Sequence, residues 1–400
     1  MNFLKKIFGP KSPATPTSNE EFWNWFSRHA AEFHTTVKKQ EDVNDAFLER
    51  LIPRLQSINA QFYCLTGMLD DDTAELIVTS DGIIKLFVFV EEFIQSAPVI
   101  PGWKFTALKP PTDIKSFSLN TKGYSFTNSN IQFCYNSDEA YPDEIDISLI
   151  YDNYTEKVNV RESGSELNLA QFPQTANVCP SDELLPVAPD KESIMQGCLL
   201  FVENSLGELN MATMIDTVDV VRECPEGKEP IPIDKLEEFI TWREKELVEK
   251  YEGTYLDMDT DTYALMEAED ASGMPVIALI NQDILEWDAK ASHPWMMIIG
   301  IDYDGKNRNG MPDQKTSELM NQFEDELTAQ LSHSAGYLNL GRETYNNKRD
   351  IFFACKEFRT VSKATAMVIS QYQKWLEVSY DIYKDRYWRS LDHFRQSRTI

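Results

Sequence analysis

Apolar residues recur at helical spacing from Asn19 onward. Phe22, Phe26, Ala30, Phe33 and Val37 fall on one face, with Ser18 or Asn19 placed to cap the first turn. A second helical series follows in Val43, Phe47, Leu51, Leu55 and Ile58, and Pro53 inside it predicts a kink or a break. QFYCLTGML and AELIVTS then read as strands, residues 81–95 as a helix and WKFTALK as a strand. The TSDG turn (Thr79 to Gly82) joins strand to helix. Such a turn can present free amides to an anion, but an aspartate there ordinarily caps them itself, and Asp81 is expected to do so.

From Tyr124 the pattern alternates, so YSFT, NIQFCY and IDISLIY read as half-buried strands. Residues 159–191 carry four prolines and support no assignment. Glu192 to Leu206 looks helical, Gly207 is a natural stop for it, and LNMATMIDTVDVV looks like one long strand. The stretch ECPEGKEPIP, rich in proline, marks the main boundary, and Asp234 with Glu237 forms a capping-box-like start to the next helix. Beyond it the pattern predicts strands at 263–267, 276–281 and 296–303 and a helix from Asp313 to Leu331. A hairpin turning at Asn346 and Asn347 follows, then a helix near 361–376 and a final strand EVSYDIY. The fold class is α+β in two or more domains, each an antiparallel or mixed sheet with helices packed on one face. The expected division is a flexible segment 1–18, a region 19–222 with a further split into 19–112 and 113–222 left open, a linker 223–232, and a domain 233–400.

Composition narrows the function. A 400-residue chain with 42% hydrophobic residues can bury several cores. Sixty-five acidic against 38 basic residues give a net charge of −27, a field that repels nucleic acid and anionic membranes. No nucleic-acid partner is therefore expected; a basic protein or a divalent cation suits the field better, and simple solubility is the plainer reading. The six cysteines (Cys64, Cys134, Cys179, Cys198, Cys224, Cys355) lack paired metal spacing and read as reduced thiols of a cytoplasmic protein. No run approaches the ~18 to 20 apolar residues of a membrane span, so no stable membrane insertion is expected. MNFLKKIFG is too short for a secretory signal. With Phe3, Leu4, Ile7 and Phe8 on one side it can form at most a weak membrane or partner contact.

No Gly-rich phosphate loop, HExxH or GxSxG motif occurs. His29 and His34 lie five apart, about 140° around a helix, away from metal-sharing spacing. DMDTDT begins like a calcium loop, but Thr262 and Ala268 stand where glycine and glutamate belong. The one acidic constellation of interest is Asp302, Asp304, Asn309 and Asp313 around Gly305 and Gly310, with Arg342, Glu343 and Arg349 on the following hairpin as neighbours. Hard oxygen ligands on a glycine loop suit calcium or magnesium, and two carboxylates beside such an ion can activate water, the chemistry of a hydrolase. The plainer reading is that the aspartates end a strand and cap a helix. No catalytic residue, metal or cofactor is assigned.

Two resemblances rest on these segments. IIGIDYDGKNRNGMPD, its acidic helix and LGRETYNNKRDIFFAC resemble the domain-of-unknown-function family 695 across Tyr251 to Phe394. FWNWF, TSDG, APVIPGW, ALKPP and LLFVENSLGE resemble an uncharacterised bacterial family with FWxWF and SADG-like motifs. Neither resemblance brings an active site. The association of family 695 with regulator-of-ribonuclease-B-like modules implies regulation through protein contact. The expected function is thus a non-catalytic protein-binding or regulatory module. A divalent-metal hydrolase at Asp302 to Asp313 is the alternative, and a membrane-tethered scaffold the third reading.

Overall fold

The computed structural model describes residues 18–152, 191–258 and 263–395. The expected N-terminal segment up to residue 17, residues 159–190, Cys179 and most of the DMDTDT cluster lie outside the described residues. Contacts divide the described chain into two units, residues 18–125 with 199–212, and the remainder.

The first unit opens with α1 (Asn19–Lys39), started by a capping box in which the Ser18 hydroxyl and the Glu21 carboxylate each accept from the other's backbone N–H. A π-helical turn, Val43–Leu48, precedes α2 (Glu49–Ile58), which runs through Pro53 without stopping. The break expected at Pro53 is therefore absent, and the irregular turn lies upstream at Val43–Leu48. β1 (Tyr63–Met68) pairs antiparallel with β2 (Ala74–Thr79), and α3 (Phe87–Gln95) crosses back to β3 (Trp103–Ala107), parallel to β2. The aromatic face of α1 closes this core: Trp23 Nε1 donates to Phe93 O and Trp103 Nε1 to Ala30 O. β4 (Ser118–Thr121) follows. Residues 199–212 of α4 (Lys191–Met214) complete the unit. Gly207 does not stop this helix; it bends it, at φ 76° and ψ 159°.

β5 (Tyr124–Thr127) carries the chain into the second unit. There β6 (Ile131–Asn136), β7 (Asp146–Tyr151), β8 (Thr217–Val221) and β9 (Ile231–Pro232) form a four-stranded sheet in the order β8-β7-β6-β9. The long strand expected from LNMATMIDTVDVV is only β8, because LNMATM finishes α4. Cys134 and Cys224 form a disulfide, which corrects the reading of all six cysteines as reduced. α5 (Leu236–Lys250) starts after a 3-10 turn with no side-chain cap, so the Asp234–Glu237 box does not form.

The same unit holds a six-stranded antiparallel sheet. Its strands are β10 (Tyr263–Glu269), β11 (Pro275–Asn281), β12 (Trp295–Asp302), β13 (Tyr337–Tyr345), β14 (Lys348–Cys355) and β15 (Glu377–Lys384), in the order β10-β11-β13-β14-β12-β15. A single turn, α6 (Gln282–Leu285), follows β11. Asn346 and Asn347 both take positive φ in the hairpin turn, as expected. One face carries α7 (Gln314–Gln330) and α8 (Arg359–Tyr372). α7 lies over β13 and β14, where Arg342 meets Glu324 and Arg349 meets Asn321. α8 lies over β12 and β15, where Thr365 meets Met297 and Tyr380 reaches Ser362 O. On the opposite face α6 and the turn around Trp388 and Leu391 bury Ile280, Met296, Leu338 and Phe352. The α+β class is thus observed.

Candidate functional site

The glycine loop after β12 is locked onto the β13–β14 turn. Tyr303 N donates to Asn347 O at 2.9 Å, Gly305 N to Asn347 Oδ1 at 2.9 Å, and Tyr303 OH to Gly310 O at 2.8 Å. Gly310 sits at φ 77°, and a Cβ there would lie 2.8 Å from Asn346 Cα, so the close approach requires glycine. Asn309 also takes positive φ. Asp304 Oδ1 accepts from Lys306 N at 3.0 Å, an Asx turn, while its carbonyl takes the Arg308 guanidinium at 2.6 Å. Asp313 caps α7 by accepting from Thr316 N at 2.8 Å, and that bond holds its carboxyl below the usual range. Both carboxylates have local structural work, and among the described residues no three His, Cys, Asp or Glu side chains are grouped to hold a metal.

The other candidates separate by face. Arg342 points under α7 and pairs with Glu324 at 2.7 Å, away from the loop, and Arg349 likewise turns to Thr344 and Asn321. Glu343 lies opposite Asp350 and Asp302 opposite Lys348, so both belong to the face without α7 and α8. Here the structure gathers residues the pattern did not single out. Asp350 accepts from Tyr345 OH at 2.9 Å and ion-pairs with Lys348 at 2.9 Å. Gly300 makes room for them, since a Cβ there would stand 2.9 Å from Lys348 Cε and 3.3 Å from Ser379 Oγ. Burial raises the Glu343 carboxyl above its ordinary pKa. A glycine inside an apolar strand was the available signal.

In the first unit three distant motifs converge. Asp81 and Gly82 of TSDG both take positive φ, as does Leu108 of ALKPP. Contrary to expectation, Asp81 does not cap this turn: the Gly82 amide donates to Glu208 of LLFVENSLGE and the Asp81 amide to Thr79 Oγ1. The buried Glu208 carboxylate accepts from Gly82 N at 2.8 Å, Lys109 N at 3.0 Å and Thr79 Oγ1 at 2.5 Å. Gly207 is obligatory beside it, with a Cβ position 2.8 Å from Pro111 N. The Lys109 ammonium sits 2.9 Å from both Asp81 and Glu203. Burial opposes its charge, and the two carboxylates outweigh burial, raising its pKa. An internal carboxylate thus fills the one turn that sequence offers to an anion.

A second buried network holds the other unit together. Asp216 lies against Lys384 at 3.4 Å and Arg386 at 3.3 Å, all three buried, and Arg386 also reaches Glu244. Asp143 accepts from Lys250, Tyr251 and Tyr387. Burial pushes the Glu144 carboxyl up to about 7 despite Arg389 at 2.9 Å. Every member is paired within the network, the mark of a structural cluster.

Among the described residues an exposed apolar patch lies on β10 and β11. Tyr263, Leu265, Glu267 and Glu269 alternate onto one face of β10, opposite Asn281, Leu279, Ile277 and Pro275 of β11. Leu279 in turn faces Arg342, so this is the helix-bearing face, yet neither α7 nor α8 stands over it. Leu265 is 64% exposed, Tyr263 40% and Ile277 37%. A groove of about 340 Å³ adjoins the patch, lined by Tyr263, Thr328, His333, Tyr337 and Asn339 among others. β10 is also one of the two edge strands of the sheet as described.

The model of a family of unknown function, DUF695, matches residues 269–394, so the C-terminal part of the chain is similar to that family over those residues. The match covers less than half of the chain and leaves out most of β10. No curated protein and no solved structure matches the chain.

Proposed function

We propose that this protein acts by binding another protein and has no chemistry of its own. The observation that carries the reading is the exposed apolar face of β10 and β11, over which no described helix stands. Contiguous exposed apolar surface beside a groove marks interaction sites on soluble proteins. The polar clusters favour the same reading, because Glu208, Asp313, Asp350 and Asp216 are each committed to partners inside the fold. No observation favours the metal-hydrolase alternative: Asp304 and Asp313 serve a turn and a cap, and Arg342 turns away from the loop. A bacterial, regulatory setting and the N-terminal resemblance belong to this proposal. The Cys134–Cys224 disulfide bears on the compartment, since such bonds are rare in reducing cytosol. Affinity capture with the full chain, run beside turnover assays on the purified protein, tests the reading. A stoichiometric protein partner is expected; turnover with no partner captured overturns it.

A further inference from the structure

We infer that the β10–β11 face receives a basic amphipathic helix from the partner, an inference that rests on the protein-binding reading. Neighbouring strands lie about 4.8 Å apart, so two strands span about 10 Å, the diameter of one helix with its side chains. The sheet follows that rule, with α7 over β13 and β14 and α8 over β12 and β15. The third pair, β10 and β11, has no described helix above it, and its floor is apolar: Tyr263, Leu265, Ile277 and Leu279. The 340 Å³ groove at the Tyr263 end can take one large apolar side chain. A strand added to the edge of β10 would leave Ile277 and Leu279, one strand further in, uncovered; a helix lying across the pair covers them.

Charge selects the partner. Glu267 and Glu269 continue the Tyr263–Leu265 row, and neither β10 nor β11 contains a lysine or arginine. A second copy would bring another net charge of −27 against this rim. A helix with apolar residues at i, i+3, i+4 and i+7 and lysine or arginine flanking them satisfies both floor and rim.

The test uses the full chain and a labelled synthetic peptide of about 18 residues, five turns, with a leucine stripe and lysines elsewhere. Its comparators are the same peptide with glutamate for lysine and a scrambled version. Anisotropy titrations are expected to show the lysine peptide binding, at least tenfold weaker binding by Leu265→Ser, and no change for Met367→Ser, an exposed residue on α8. Glu267→Lys with Glu269→Lys is expected to shift preference toward the glutamate peptide. Hydrogen exchange of the unaltered protein reads the same site without relying on a variant: slowing is expected in 263–269 and 275–281. Equal affinity for Leu265→Ser, equal binding of the scrambled peptide, or a homodimer that Leu265→Ser dissociates overturns the helix proposal. A captured partner that ignores Leu265→Ser overturns this surface and leaves the protein-binding reading standing.

Discussion

Glu144 and His293 are buried on the same unit and titrate in opposite senses. Burial lifts the Glu144 carboxyl to about 7, so between about 4.5 and 7 the folded state holds a proton that the unfolded state has released. Its contribution is present below that window and falls by about 1.4 kcal/mol per pH unit as pH rises through it. Burial lowers His293 to about 3, so there the unfolded state binds the extra proton, and the contribution is lost as pH falls below about 6.5. The two slopes cancel between about 4.5 and 6.5, and the whole protein conceals both. Urea titrations of Glu144→Gln against the parent across pH 5 to 7.5 are expected to show the variant gaining relative stability as pH rises; parallel curves would mean that Glu144 is solvated. Asp216 is the sharper case. Burial disfavours its charge, but Lys384 and Arg386 hold its carboxyl below the ordinary range. Asp216→Ala leaves two buried cations facing each other, and a loss of about 3–5 kcal/mol is expected in the same titration.

At the scale of elements, the C-terminal pattern was legible wherever a local rule had no long-range competitor. The cap at Asp313 needs only the three residues after it, and the Asn346–Asn347 turn needs only two positive φ angles. Asp313→Ala is therefore expected to cost about 1 kcal/mol by thermal unfolding, equally with magnesium, calcium or chelator, whereas a metal site would show a cation-dependent loss. Long-range partners were illegible. Glu208 serves the Gly82 amide across 126 residues, and nothing local at Gly82 announces it. LNMATM reads as strand because its alternation is real, but it is held as helix beyond the bend at Gly207. Cys134 and Cys224 are 90 residues apart with no motif to pair them. That closure predicts a loss of about 2–4 kcal/mol on reduction or on Cys224→Ser, read as a fall in Tm. An unchanged Tm would show that the thiols are free in solution. Of the seven residues named around the loop, Asp302 and Glu343 share one face of the sheet and Arg342 and Arg349 the other, because side-chain direction depends on register that the hairpin alone does not set.

Across the whole molecule the dominant quantity is the charge of −27 on 400 residues. The buried clusters neutralise a few carboxylates, among them Asp216, Asp143 and Glu203, and most of the acidic excess is left repelling itself. Raising sodium chloride from about 0.01 to about 1 M shortens the screening length from about 30 to about 3 Å, which weakens that long-range repulsion far more than the buried contacts at 3 Å. Chloride is the right anion, because sulfate would also strengthen apolar burial and confuse the two effects. The Tm is expected to rise by roughly 2–4 °C, equivalent to about 1 kcal/mol in a domain-sized unit. Binding of a basic helix should move the other way, because the same screening removes the attraction of Glu267 and Glu269 and slows encounter. A protein stabilised by salt whose partner is released by salt is using one acidic field for both solubility and selection. If both Tm and affinity fell together, surface ion pairs would outweigh self-repulsion, and the charge would be part of what holds the fold.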